Sequence, residues 1–109
     1  MTKEFKLKPD EIKHIAVGYG GCIATDMITV HGKKVGYMYR EEPNNEMDSG
    51  WRFMWGKESR KYMNDPGNHE IYDVNTIANY SPDITEFLEA PYGSAFERNT
   101  EGRLVEIEE

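Results

Sequence analysis

Apolar positions along the chain recur mostly with a period of two, in short runs separated by Gly, Pro, Asn and Asp. The stretch CIATDMITVHGKKVGYMYRE, residues 22–41, reads as a hairpin whose connection is His31 to Lys34 around Gly32. In that pairing Val30 faces Val35, Ile28 faces Tyr37 and Asp26 faces Tyr39, so one face carries Ile28, Val30, Val35, Tyr37 and Tyr39. The other face sets Met27 against Met38 and Thr25 against Arg40, and a slip of two residues preserves both faces. EEPNNEMDSG, residues 41–50, is an acidic loop whose tail opens the next strand. There Trp51, Phe53 and Trp55 alternate with Arg52 and Met54, the pattern of a strand with one buried face. APYGSAFER and RLVEIEE read as two more strands joined across Asn99 to Gly102.

Helical spacing is confined to shorter pieces. Pro9, Asp10 and Glu11 form a first helical turn, with Ile12, Ile15 and Ala16 on one face before Gly18, Gly20 and Gly21 stop it. KESRKYMND, residues 57–65, predicts a short helix with Lys57, Arg60 and Lys61 on its exposed side, ended by the turn Asp65-Pro66-Gly67-Asn68. Val74, Ile77 and Ala78 share a face after Asp73, and Ile84, Phe87 and Leu88 share another after Ser81-Pro82-Asp83. Ser as N-cap, Pro at the first helical position and Asp in the first turn suit the orphan amides and the helix dipole. The sum predicts an α+β fold: a single small domain with a mostly antiparallel sheet and two or three short helices.

Composition changes this picture little. Hydrophobic content is 38%, below the usual ~45–50%, yet two Trp, seven Tyr and four Phe each bury ~150–250 Å², so a core is feasible. The net charge of −7 has more consequence. No Lys and Arg block supplies the phosphate attraction that drives nucleic-acid binding, whereas an acidic surface hastens encounter with a basic protein. MTKEFKLKPDEIKH contains no apolar run, and no stretch is long enough to span a membrane, so neither a secretory signal nor a membrane partner is expected. Cys22 is the single cysteine, which fits a reducing compartment and a cytoplasmic location.

Motifs for chemistry are sparse. Phosphate-loop, dinucleotide and zinc-protease signatures are absent, and Gly18, Gly20 and Gly21 read as a flexible turn. Cys22, His14, His31 and His69 lack the close ligand pairs of a structural zinc site, so no metal or cofactor is expected. Cys22 reads as a small buried hydrophobe rather than a nucleophile activated by His31. Most carboxylates lie in solvated loops or helix starts. DSGWRFMWG, residues 48–56, stands apart: Asp48 and Ser49 accept backbone hydrogen bonds in a tight turn, Gly50 takes a conformation other residues avoid, Trp51 enters the core, and Arg52 on the opposite face is free to pair with Asp48 or a neighbouring glutamate.

VGYMYRE, the DSGWRF run followed by Gly56 and Glu58, IYDVNTIANYSPDI and PYGSAFER together form a specific combination. From Cys22 to Arg98 it resembles a bacterial family described as immunity-protein-like, the thirty-third class of polymorphic-toxin immunity proteins. The resemblance implies neutralisation of a toxin inside the cell that makes it, and it carries over no catalytic residue. It leaves residues 1–21 as an N-terminal extension with a short helix, ahead of an immunity-protein-like α+β domain at 22–109.

Three functional readings follow. The first is a non-enzymatic protein binding a basic toxin domain through the 41–52 loop and strand edge, with Glu41, Glu42, Glu46 and Asp48 providing the acidic approach and Arg52 and Tyr39 the anchors. The second is an accessory or regulatory module for another protein, or a homodimer built through a sheet edge. The third is an enzyme using Asp48, Arg40, Arg52 and Glu58.

Overall fold

The computed structural model describes residues 3–108; Met1, Thr2 and Glu109, the outer ends of the expected extension and domain, lie outside it. In chain order the elements are β1 (Gly21–Thr25), α1 (Asp26–Thr29), β2 (Tyr37–Arg40), β3 (Asp48–Met54), α2 (Arg60–Asn64), β4 (His69–Asp73), α3 (Val74–Tyr80), β5 (Ala95–Arg98) and β6 (Leu104–Ile107). Turns of 3-10 helix occur at Pro9–Glu11, Pro66–Asn68 and Pro82–Phe87. Among the described residues the strands form one sheet in the order β4-β1-β3-β2-β5-β6. β1 and β3 are parallel and every other neighbouring pair is antiparallel, so the α+β class with a mostly antiparallel sheet is what the chain adopts.

β3 holds the centre because its apolar side chains need burial on one face and its backbone finds a partner on each side. Trp51 and Phe53 are 0% and 1% exposed. Their rings stack 6.0 Å apart, and Trp51 lies 6.2 Å from Phe96. The indole Nε1–H donates to the Leu88 carbonyl at 3.3 Å, which removes the cost of burying that donor. Burying such rings stabilises by several kcal/mol, at about 25 cal/mol per Å². Cys22, Ala24, Met38 and Phe96 complete the strand side of the core, and Ile28, Val74, Ile77, Ala78, Ile84 and Leu88 cover it.

The expected hairpin at 22–41 does not form. After β1 the chain turns into α1, where Val30 N–H and His31 N–H both donate to the Asp26 carbonyl and Gly32 N–H donates to Ile28. Those local bonds take the backbone groups a second hairpin strand would need. β2 therefore pairs with β3 and β5, and Met38, rather than Tyr37 or Tyr39, faces the core. Trp55 also departs from expectation. β3 ends at Met54, and the second indole lies beyond it, half-buried, with the Lys33 and Lys57 ammonium groups 5.3 and 5.8 Å from its centroid.

Helix starts are better matched. Asp73 accepts from Asn75 N–H at 2.8 Å and Ser59 from Tyr62 N–H at 3.0 Å, capping α3 and α2. The segment after Ser81 is 3-10 rather than α-helix, and Ser81 does not cap it. Its hydroxyl donates to Asp83 at 2.9 Å and accepts the Val35 amide at 3.3 Å, linking the turn to the strand layer instead. The expected N-terminal helix shrinks to Pro9–Glu11. Asn75 Oδ1 accepts from both Ile15 and Ala16 N–H at 2.8 Å, while its Nδ2 donates to the Lys13 carbonyl at 2.9 Å. With these groups bound to α3, residues 12–16 run as an irregular strap that bends at Ile15 and Ala16; Ala16 is buried and Ile15 is exposed.

Candidate functional site at the open face of the sheet

The face of the sheet opposite the core carries Ile23, Tyr37, Tyr39, Arg52, Met54, Ile71 and Val105, as the strand registers and the alternation of burial require. Its central feature is made by an irregularity in the first residues of β3, where a tight turn was expected and Asp48, Ser49 and Gly50 instead already belong to the strand. Gly21 lies opposite Asp48, but Ile23 lies opposite Arg52, so two steps along β1 correspond to four along β3. Gly50 absorbs the excess at φ +89°, and a Cβ there would sit 2.1 Å from the Glu41 carbonyl oxygen. Asp48 accepts from Asn44 N–H at 2.8 Å and Gly50 N–H at 3.0 Å. Ser49 Oγ accepts from Trp51 N–H at 3.1 Å and donates to the Gly21 carbonyl at 2.6 Å.

This irregularity brings Asp48 onto Arg52. Arg52 Nη1 and Nη2 donate to the two Asp48 oxygens at 2.9 and 2.8 Å, and Nε donates to Glu41 at 2.6 Å. Two parallel bonds from one guanidinium form the strong fork geometry. The Arg52 guanidinium holds the Asp48 carboxyl well below the usual carboxylate range, and the bonds to Asp48 push Arg52 above its own ordinary value. Arg52 is only 4% exposed, so its part in any contact surface is to fix Glu41 and Asp48 rather than to reach outward.

The other anticipated residues surround this pair. Tyr39 is opposite Arg52 in the β2–β3 register, and Glu42 and Glu46 are exposed. Tyr39, Glu41 and Glu42 line a shallow groove of about 690 Å³ with Tyr92, while Glu46 and Asp48 line another of about 630 Å³ with Met47, Ile71 and Tyr72. The 41–47 loop thus stands between two grooves. Met47 and Ile71, 81% and 79% exposed, were not anticipated as surface features. The one signal for Met47 was an isolated apolar residue in an acidic loop; β4, which carries Ile71, was missed altogether.

The four groups of the enzymatic reading are not assembled. Arg40 lies on the core side of the sheet, bonded to the Ser49 and Ala90 carbonyls at 2.9 and 2.8 Å, with its guanidinium 4.6 Å from the Tyr92 ring. Glu58 accepts from Thr25 Oγ1 and from the Trp55 and Gly56 amides at 2.7 to 2.8 Å. Cys22 is 1% exposed and burial pushes its thiol up, away from nucleophilic use. Gly20 gives no phosphate cradle: a Cβ there would lie 2.8 Å from the Met47 carbonyl, and Gly21 N–H donates to that oxygen at 2.6 Å. Among the described residues no group of three or more His, Cys, Asp and Glu is placed to hold a metal, and no helix is long and apolar enough to cross a membrane.

Fold and site define a small α+β protein whose open sheet face is organised around a locked ion cluster. Residues 22–108 match the family described as the Immunity protein Imm33 domain, so the chain belongs to that family. Membership implies an immunity function and, in general terms, a protein partner. No curated protein and no solved structure gives a significant match.

Proposed function

We propose that this protein is a non-enzymatic immunity protein that neutralises a cognate bacterial toxin by direct contact in the cytoplasm of the cell that makes both. Tyr39, Glu41, Glu42, Glu46, Asp48 and Arg52 supply the contact surface. The observation that carries this reading is the Arg52 cluster, which fixes both ends of the 41–47 loop and so presents Glu42 and Glu46 without an ordering cost at binding. A preordered acidic loop beside the half-buried Tyr39 and the exposed Tyr92 suits a basic enzyme surface, where charge speeds encounter and aromatic side chains anchor.

The test is calorimetric titration with the toxin domain encoded beside this gene. Tight binding by the natural chain is expected, with at least tenfold weakening when Glu41, Glu42 and Glu46 are changed together to Gln. Unchanged affinity in that variant removes the surface, and no binding by the natural chain removes the role. In that event the second reading, an accessory module or a homodimer joined through a sheet edge, is favoured by β4 and β6, each of which pairs on one side only among the described residues.

A further inference from the structure

Edge strands of natural sheets are normally blunted by Lys, Pro, bulges or a covering segment. β4, with sequence HEIYD, pairs only with β1 among the described residues and has no Lys, Pro or register irregularity. Val74 N–H donates to the Gly20 carbonyl at 2.9 Å, which turns the even-numbered backbone groups of β4 toward β1. In an antiparallel ladder the odd-numbered groups then point away from β1, and among the described residues nothing pairs with Ile71 N–H and C=O there. The Ile71 side chain is 79% exposed and borders the groove of about 630 Å³ shared with Met47 and Tyr72. Glu46, Asp48 and Asp73 also line that groove, and no Lys or Arg does.

We infer that the free edge of β4 is a docking strand, which accepts an extended, cationic segment of the partner protein as an added strand, with one of its apolar side chains seated in the groove. Main-chain bonds at Ile71 supply affinity, the groove supplies side-chain selection, and the carboxylate rim selects positive charge. A second copy of this chain is disfavoured as the occupant because each copy carries −7. The inference deepens the immunity reading and takes its partner from it.

Two probes separate the inference from that reading. The first is a seven-residue peptide of alternating lysine and valine at millimolar concentration, with amide hydrogen exchange as the readout. Slowing of Ile71 exchange by at least tenfold is expected; no slowing overturns the docking strand whatever the toxin does. The second is the neighbouring toxin domain, titrated against the natural chain, Ile71→Pro, Ile71→Lys and Val105→Lys on the opposite edge. Ile71→Pro removes the outward N–H, which the β1 ladder does not use, together with the Ile71 side chain, and amide exchange at Tyr72 checks that the ladder to β1 survives the ring. Both Ile71 variants should bind at least tenfold more weakly and Val105→Lys within twofold of the natural chain. Equal binding by all four overturns the docking strand alone. If the toxin fails to bind the natural chain, the toxin reading falls, and the peptide result still decides the strand.

Discussion

Arg52 grips Asp48 through two hydrogen bonds although the residues are four apart on one strand. On a regular strand such Cα atoms would be roughly 13 Å apart and the two side chains would not meet so closely. The extra residues at Gly50 shorten that path, so a backbone irregularity creates the ion pair and the ion pair fixes the loop.

Removing one partner leaves the other charge buried. Asp48→Ala should lower stability by about 3 kcal/mol, the lower end for a broken buried pair, because Asn44 and Gly50 amides lose an acceptor as well. Urea unfolding with an unchanged m-value checks this.

Acid should act on the same pair. Asp48 titrates below its unfolded value of about 3.9, so the unfolded chain takes up more protons as the pH falls through that range. The stability contributed by the pair is present above that pH and is lost below it, toward the depressed folded value. Urea midpoints measured from pH 7 to pH 3 should fall, and Asp48→Asn should flatten the part of the slope that Asp48 causes.

Two glycines with similar backbone angles should respond differently to Ala. At Gly50 (φ +89°) the new Cβ meets the Glu41 carbonyl at 2.1 Å, whereas at Gly102 (φ +84°) nothing lies within 4 Å. Gly102→Ala should cost about 1 kcal/mol, the left-handed penalty alone, and Gly50→Ala well beyond that. Paired thermal unfolding scans distinguish them.

The two indoles should also separate. Trp51→Ala opens a cavity in the core and should cost about 3–5 kcal/mol. Trp55→Ala removes a half-buried ring with two lysines near it and should cost about 1 kcal/mol. Tryptophan fluorescence of each variant, followed through urea unfolding, reads both.

Asn75→Ala should free the end of the strap at Ile15 and Ala16, with Lys13 still held by Asn79. It deprives the Ile15 and Ala16 amides of their acceptor, while the Lys13 carbonyl keeps the Asn79 Nδ2 donor, an expected loss of about 2 kcal/mol. Amide exchange at Ile15 and Ala16 should accelerate before the sheet is affected.

Local patterns were legible where the physics was local. Asp73 caps the helix that follows it, Asp48 and Ser49 accept the backbone amides their side chains suggest although within a strand rather than a turn, and residues 95–98 and 104–107 pair across a short connection. The pairing of β1 with β3 was not legible, because alternation tells which face a side chain takes and says nothing about which distant strand lies beside it. α1 was hidden because Asp26–Thr29 is a single turn inside an alternating run. β4 escaped because its middle apolar residue, Ile71, faces solvent, so the segment lacks the buried alternation by which strands are found. Of the anticipated site residues, Arg52 pairs with Asp48 and with the neighbouring Glu41 as its place opposite Trp51 suggested, though the irregularity that brings them together is encoded by no spacing rule, and Glu42 and Glu46 lie on the loop where the acidic run placed them.

The place of β1 between β3 and β4 constrains how the molecule is born. Residues 21–25 leave the ribosome early but find no lasting neighbour until translation has passed residue 54, and their second neighbour is complete only at residue 73. A nascent chain halted before that point holds a strand with one flank bare. The centre of the sheet therefore closes only after residue 73 has been made.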